Sequence, residues 1–199
     1  MIEDIDQRVG DFLVKVMRIG DPRGMLISEK IARNLKTYGV PVGSARTKFL
    51  SFTLTDKEEK EFRQFSYKNR LPIFITGDTE KRATNIVFVN GVRVPIGDTP
   101  FALFLRLVVE LFKNKKGMVS KSRLINAGYI KADGEFQAIS RLRQAFNTSL
   151  DGLDPKDFIE ACQPKFLRLS THPALISYDK EKLLCHRNNK IKRLTERLP

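Results

Sequence analysis

Three helical patterns followed by two short β runs, all in the second half of the chain, constrain the fold more than any other feature of the sequence. Apolar residues at helical spacing predict helices over residues 99–115, 120–127 and 135–149. Two short β-rich runs follow at residues 158–162 and 166–169. This order limits the chain to α+β folds in which a group of helices is followed by a hairpin.

Short β segments precede these helices and predict a small antiparallel sheet. They lie at residues 72–76, 85–89 and 92–96. An Asn-Gly pair at positions 90–91 separates the last two segments. Both residue types tolerate the positive φ of a two-residue type I′ turn, so a hairpin is predicted there. The dipeptide Thr99-Pro100 then predicts the N-cap and the first residue of the long helix.

A large basic excess characterises the composition. The chain of 199 residues has 36 Lys and Arg against 23 Asp and Glu, a net charge of +13. Two segments concentrate the excess: residues 101–150 have nine basic and three acidic side chains, and residues 180–199 have seven and two. Neutralising phosphates releases counterions, so such an excess favours a polyanionic partner. Nucleic acid is therefore the first partner to consider.

The order of three helices and a β-hairpin, with basic residues on the third helix and the hairpin, is the layout of a winged helix-turn-helix. The expected fold class is therefore α+β, a winged helix-turn-helix with a preceding small antiparallel sheet and an N-terminal mainly helical region. In this layout the third helix, over residues 135–149, enters the major groove of double-stranded DNA.

The third helix has an apolar face and a polar face when its residues are placed about 100° apart. The residues predicted to face the core are Phe136, Ile139, Leu142 and Phe146. The residues predicted to face outward and contact bases are Gln137, Arg141, Gln144 and Thr148. Arginine can bind O6 and N7 of guanine, and glutamine can bind N6 and N7 of adenine. An ordinary amphipathic surface helix also exposes such side chains, so that alternative stays open.

Phosphate contacts are predicted beside this row, where basic and small polar side chains flank the third helix. The candidates are Lys121, Arg123, Ser140, Arg143, Asn147 and Lys165. Such contacts orient a protein on the duplex without distinguishing its sequence.

Residues 84–178 resemble the winged-helix output domain of bacterial two-component response regulators. Residues 86–105 are similar to the strand, turn, strand and helix start of that family, and residues 119–124 are similar to its next helix start. The run Ile139-Ser-Arg-Leu-Arg matches its recognition-helix signature of an isoleucine, two further residues and Leu-Arg. The resemblance implies a fold that binds promoter DNA. No βαβ repeat of a receiver domain precedes it, so it implies no phosphorelay input.

Composition divides the chain into four regions. We expect an N-terminal helical region over residues 1–46, a strand-helix-strand connection over 47–83, the winged-helix domain over 84–179 and a basic C-terminal tail over 180–199. The tail has apolar residues between its Lys and Arg residues. It is therefore either a helix packed on the domain or an arm that contacts phosphates.

An amphipathic helix near the N-terminus predicts a contact between subunits. Its apolar stripe consists of Ile5, Val9, Phe12 and Val16. An isolated helix of this length is marginal in water, so the stripe packs either on the rest of the chain or on a second subunit. We expect a homodimer through the N-terminal helices, because DNA-binding dimers recognise paired half-sites.

Cysteine and histidine usage argues against the common metal sites. Cys162 and Cys185 have no CxxC spacing, and only His172 and His186 accompany them, so no metal or cofactor is expected. No nucleophile or acid-base arrangement of catalytic spacing is visible, so an enzyme is not expected. No apolar run approaches the roughly 18 residues of a membrane span, and the acidic N-terminus is unlike a secretory signal. The expectation is a cytoplasmic protein without membrane partners.

The leading functional hypothesis is sequence-specific binding of double-stranded DNA in transcription regulation. Two alternatives stay open. One is a replication or maintenance initiator that uses a winged helix, and the other is an adaptor or assembly protein that uses the same fold for protein contacts.

Overall fold

The structure, a computed structural model, describes residues 54–80, 83–90, 92–150, 154–163 and 165–199. Its helices, numbered from the first described one, are α1 (Asp56–Gln64), α2 (Asp98–Lys113), α3 (Lys121–Asn126), α4 (Glu135–Ser149), α5 (Pro155–Phe158), α6 (Lys180–Leu184) and α7 (Asn189–Thr195). Its strands are β1 (Ile73–Glu80), β2 (Thr84–Val89), β3 (Val92–Gly97), β4 (Val119–Ser120), β5 (Ile159–Glu160), β6 (Phe166–Leu169) and β7 (Ile176–Tyr178). The predictions for residues 1–53, the homodimer contact among them, lie outside the described residues.

The first sheet has the strand order β3-β2-β1-β7. β1, β2 and β3 are antiparallel, and β7 adds to the edge of β1 in parallel orientation. Val89 pairs with Val92 across the predicted two-residue turn, and Asn90 has a φ of 46°. The antiparallel sheet and its Asn-Gly hairpin are therefore confirmed, and the chain is an α+β protein.

α2 is the central helix, and it begins two residues earlier than predicted. Its N-cap is Gly97, the last residue of β3, where Thr99 was expected to cap the helix. The strand therefore passes directly into the helix, with Asp98 in the first turn, where a carboxylate interacts favourably with the helix dipole. Pro100 still lies in the first turn. Proline is tolerated there because it has no backbone N–H, and an N–H at this position would have no partner within the helix.

A second, three-stranded sheet follows α2 and has the order β4-β6-β5, with both pairs antiparallel. From α2 to β6 the elements follow the order α2, β4, α3, α4, α5, β5 and β6.

The boundaries of these elements mostly agree with the sequence predictions. Ser120 caps α3 as predicted, because its side chain accepts a hydrogen bond from the backbone N–H of Arg123. α4 has the predicted bounds. The β run predicted over 158–162 is shorter, because α5, capped by Asp154, includes Phe158.

The basic C-terminal segment packs on the rest of the molecule through α6 and α7. Its apolar residues Leu183, Ile191, Leu194 and Leu198 are buried. α6 lies against β1, and α7 lies against α2. The apolar residues of this segment therefore pack on the rest of the fold, as in the first of the two alternatives for the tail.

One hydrophobic core joins the regions that composition separated. It includes Phe62 from α1, the buried face of α2, Phe146 from α4 and Leu198 near the C-terminus. The predicted division at residue 84 falls between β1 and β2, which are paired strands of one sheet. Within the described residues, no helix combines the length and the apolar composition needed to cross a bilayer.

A buried hydrogen-bond chain fixes the connection between α6 and α7. The backbone N–H of Asn188 donates to Nδ1 of His186 at 3.0 Å, and Nε2 of His186 donates to Oδ1 of Asn85 at 2.7 Å. Nδ2 of Asn85 donates in turn to Oδ1 of Asp98 at 2.9 Å. Because Nδ1 accepts a hydrogen bond, His186 is in its neutral Nε2–H form. Burial lowers the pKa of His186 below its ordinary value, which agrees with that form.

The packing of α4 predicts a large cost for truncating Phe146. The Phe146 ring lies 4.4 Å from the Phe158 ring and 5.7 Å from the Phe104 ring, centroid to centroid. Phe146→Ala should lower the free energy of unfolding by about 3–5 kcal/mol, measured by urea denaturation, because it leaves a cavity in the core. Arg141→Ala, on the exposed side of the same helix, is the control and should change it by less than about 0.5 kcal/mol. Equal losses from both substitutions would contradict this packing.

The neutral state of His186 predicts a pH-dependent stability. The unfolded chain binds a proton on His186 at a higher pH than the folded chain, so the free energy of unfolding should fall as the pH drops from 7.5 to 5.5. One proton limits this contribution to about 1.4 kcal/mol per pH unit. His186→Gln should remove that part of the pH dependence in urea denaturation. An unchanged pH dependence in this variant would show that His186 is not held neutral.

Candidate nucleic-acid interface

The exposed face of α4 is the centre of the candidate interface. Gln137, Arg141, Gln144 and Thr148 are all exposed, in the row that the sequence predicts. On the opposite face Ile139, Leu142 and Phe146 are buried, as predicted, while the side chain of Phe136 lies outside the described part of the structure. α4 packs on α2 and on β3, and this contact turns the polar row outward.

No acidic side chain lies in this row. Among the described residues, Arg141 forms no ion pair, so its guanidinium is available to a ligand. Thr148 is partly committed to the helix, because its Oγ1 donates to the backbone oxygen of Gln144 at 2.8 Å. The row therefore offers amide and guanidinium groups, which are the groups that bind base edges.

A groove on one side of the row, here called the hairpin groove, separates α4 from the hairpin of β5 and β6. It has a volume of about 620 Å³ and is open to solvent. Its polar lining residues are Lys121, Ser140, Arg143, Gln144, Asn147, Asp154 and Lys156. Four of the six predicted phosphate contacts therefore share one concave surface.

The other two predicted phosphate contacts lie beside this groove. Lys165 is exposed in the hairpin loop, and its backbone oxygen accepts a hydrogen bond from the backbone N–H of Lys121 at 2.9 Å. The hairpin loop is thereby held against the start of α3. Arg123 is exposed on α3 and lines neither groove. Among the described residues, neither Arg123 nor Lys165 forms an ion pair.

The guanidinium of Arg143, one of the predicted phosphate contacts, already has a partner in the fold. Nε and Nη2 both donate to the backbone oxygen of Ile159, at 3.0 and 2.7 Å. Burial lowers the pKa of Arg143 from its usual value, while the charge of Asp154 opposes this shift. The contact joins α4 to the first residue of β5 and so sets the position of the hairpin relative to the helix.

A second groove, here called the tail groove, lies on the other side of the row and has a volume of about 710 Å³. Gln137 and Arg141 line it from α4, and Asn188 and Lys190 line it from the C-terminal segment. Asp98 lies at its edge, at the start of α2. The base-contact row is therefore bordered by a groove on each side.

Three cations in these grooves were not among the residues selected from the sequence. Lys156 lines the hairpin groove, and Lys131 and Lys190 line the tail groove. Lys156 follows the helix-start pair Asp154-Pro155. This local signal predicts the start of α5 but not its position beside α4. Lys190 is about 50 residues from Arg141 in the sequence, and no local pattern joins the two positions.

His172 and Cys162 are both at least partly enclosed by the fold. His172 is buried, and its Nε2 lies 3.0 Å from Oε2 of Glu61. Cys162 is half-buried, and burial raises the pKa of its thiol to about 11, so the thiol is protonated at neutral pH. No group of three His, Cys, Asp or Glu side chains suited to a metal ion occurs among the residues that the structure describes.

Comparisons with known proteins find no relative of this chain: no family model matches it, and neither a curated protein nor a solved structure shows significant similarity.

Proposed function

We propose that this protein binds double-stranded DNA sequence-specifically, with α4 in the major groove, and acts as a transcriptional regulator. The observation that supports this most is the row of Gln137, Arg141, Gln144 and Thr148, which is exposed and contains no acid. An α-helix with such side chains fits the width of the major groove and can bind base edges there.

The order of elements supports the same proposal. A helix, a strand, two helices and a hairpin, in a sheet of order β4-β6-β5, correspond to the layout of a winged helix-turn-helix. In that layout α4 is the recognition helix, and the loop between β5 and β6 is the wing. The resemblance of residues 84–178 to response-regulator output domains agrees with this assignment.

Each side chain then has a role that follows from its chemistry. Arg141 binds O6 and N7 of a guanine, and Gln137 and Gln144 bind adenine edges. Thr148, the last residue of the row, contacts a base or the thymine methyl group.

Phosphates are bound by side chains from α3, from α4 itself, from α5 and from the hairpin loop. These are Lys121, Arg123, Ser140, Asn147 and Lys165, to which Lys156 is added. Arg143, which is bonded to Ile159, supports them by fixing the hairpin.

The basic surface predicts that duplex binding depends steeply on salt. Each Lys or Arg that neutralises a phosphate contributes about −0.9 to the slope of log K against log salt concentration, so the four cations named above give a slope of about −3.6 or steeper. Fluorescence anisotropy of the full chain with a labelled duplex, between about 50 and 200 mM salt, measures this slope. Absence of micromolar binding at the lowest salt would rule out the proposal and favour the adaptor alternative.

Base recognition by α4 predicts a specific effect of Arg141. Selection of bound duplexes from a random pool first identifies the preferred site. On that site Arg141→Ala should cost roughly 1–3 kcal/mol of binding free energy and should abolish the preference for guanine at one position. Lys57→Ala, which removes one positive charge from α1, is the control and should leave the preference unchanged. Equal losses from Arg141→Ala on the preferred site and on random DNA would show that α4 does not recognise bases.

A further inference from the structure

The tail groove concentrates positive charge from three separate elements. Lys131 precedes α4, Arg141 lies within α4, and Lys190 lies on α7. All three side chains are exposed and line the same groove. Gln137 and Asn188 add neutral amide groups to the lining. Lysine, arginine and amide donors around one concave surface are suited to a phosphate group.

Lys190 is held at the edge of this groove by two contacts. Its Nζ donates to the backbone oxygen of Gly128 at 2.7 Å and lies 5.0 Å from the centre of the Tyr129 ring. An ammonium group has three N–H donors, so donation to Gly128 leaves two for a ligand. The side chain is thus already ordered, which reduces the entropy that binding would cost.

Asp98, the one acidic residue among the described residues that line the groove, already has two partners. Oδ1 of Asp98 accepts a hydrogen bond from Nδ2 of Asn85 at 2.9 Å, and Oδ2 lies 3.7 Å from Nη2 of Arg187. Among the described lining residues, three cations accompany this one carboxylate, so their net charge is positive next to the row that is proposed to contact bases.

The C-terminal segment is fixed in this position by the core and by the buried chain through His186. Leu183, Ile191 and Leu194 are buried on one side of α6 and α7, and the His186 bonds to Asn85 and Asn188 fix the turn between these helices. Lys190 and Asn188 consequently face the groove from a rigid support.

We propose that the tail groove binds a phosphate of the DNA backbone, on the side of α4 opposite the hairpin, and that the C-terminal segment is thus a second DNA-binding element. The proposal rests on the proposed DNA-binding function. Phosphate contacts on both sides of a recognition helix fix its depth and register in the major groove, so that base contacts form at one set of positions. Lys190 and Lys131 bind the phosphate, and Arg141 is shared between this groove and the base-contact row.

The test compares salt slopes of duplex binding for the full chain and its variants. Lys190→Gln and Lys131→Gln should each reduce the magnitude of the slope by about 0.9 and weaken preferred and random duplexes by the same factor. Lys190→Arg keeps the charge and should keep the slope. Lys192→Gln is the matched control, because it removes the same charge from the same helix at a position about 200° away that does not line the groove. This control should lose clearly less of the slope.

Ethylation of individual phosphates on the preferred duplex locates the contact. Interference with wild-type binding is expected at phosphates on both sides of the base positions, and the signal on one side should disappear in Lys190→Gln. Unchanged slopes and an unchanged ethylation pattern in Lys190→Gln and Lys131→Gln would overturn this inference while leaving the proposed function intact. Failure of the wild type to bind any duplex would overturn both. Thermal stabilisation by inorganic phosphate that Lys190→Gln abolishes, with no change in its duplex slope, would identify a small-anion site instead and also overturn the inference.

Discussion

Burial of α2 on nearly all sides determines how the other elements of the fold are arranged. Phe101, Phe104, Leu105 and Leu107 have no exposed surface, and the helix packs against α4, α7 and strands of both sheets. A helix that is apolar almost all round must be enclosed by several elements. The two sheets, α4 and the C-terminal segment are therefore positioned relative to one another by their contacts with this single helix.

The exposed face of α4 follows from that arrangement. Ile139, Leu142 and Phe146 pack inward, so the polar row faces solvent between two grooves. Arg143 ties the hairpin to α4 on one side, and the His186 hydrogen bonds fix the C-terminal segment on the other. Both proposed phosphate-binding surfaces are thus held by bonds that use no base-contact residue. Apart from Arg141, which the tail groove shares with the base-contact row, orientation on the duplex and recognition of its sequence are assigned to different side chains.

Local sequence signals predicted the elements well where periodicity or turn chemistry was strong. The bounds of α4 and the turn at Asn90 followed from its apolar spacing and from an Asn-Gly pair. The start of α2 was misplaced because Thr99-Pro100 is a strong cap signal, whereas the chain enters the helix directly from Gly97 at the end of β3. Helix boundaries depend on tertiary context in this way even when the helix itself is certain from its pattern.

The candidate interface was only partly predictable, for a physical reason. The outward row of α4 follows from helical geometry within 15 residues. The tail groove joins Lys190 to Arg141 through the packing of α7 on α2, and this long-range contact leaves no periodic trace in the sequence. The hydrogen bond from Arg143 to the backbone oxygen of Ile159 was not predicted either, because no local pattern joins this helix residue to a position 16 residues further along the chain.

An NMR titration of the ¹⁵N-labelled full chain with its preferred duplex tests whether α4 is the helix that contacts DNA. The largest amide shift changes are expected in α4 between Gln137 and Thr148, with smaller changes in the hairpin loop and around Lys190. Changes concentrated on α1 or on β3, with the α4 signals unmoved in the bound state, would contradict this role of α4.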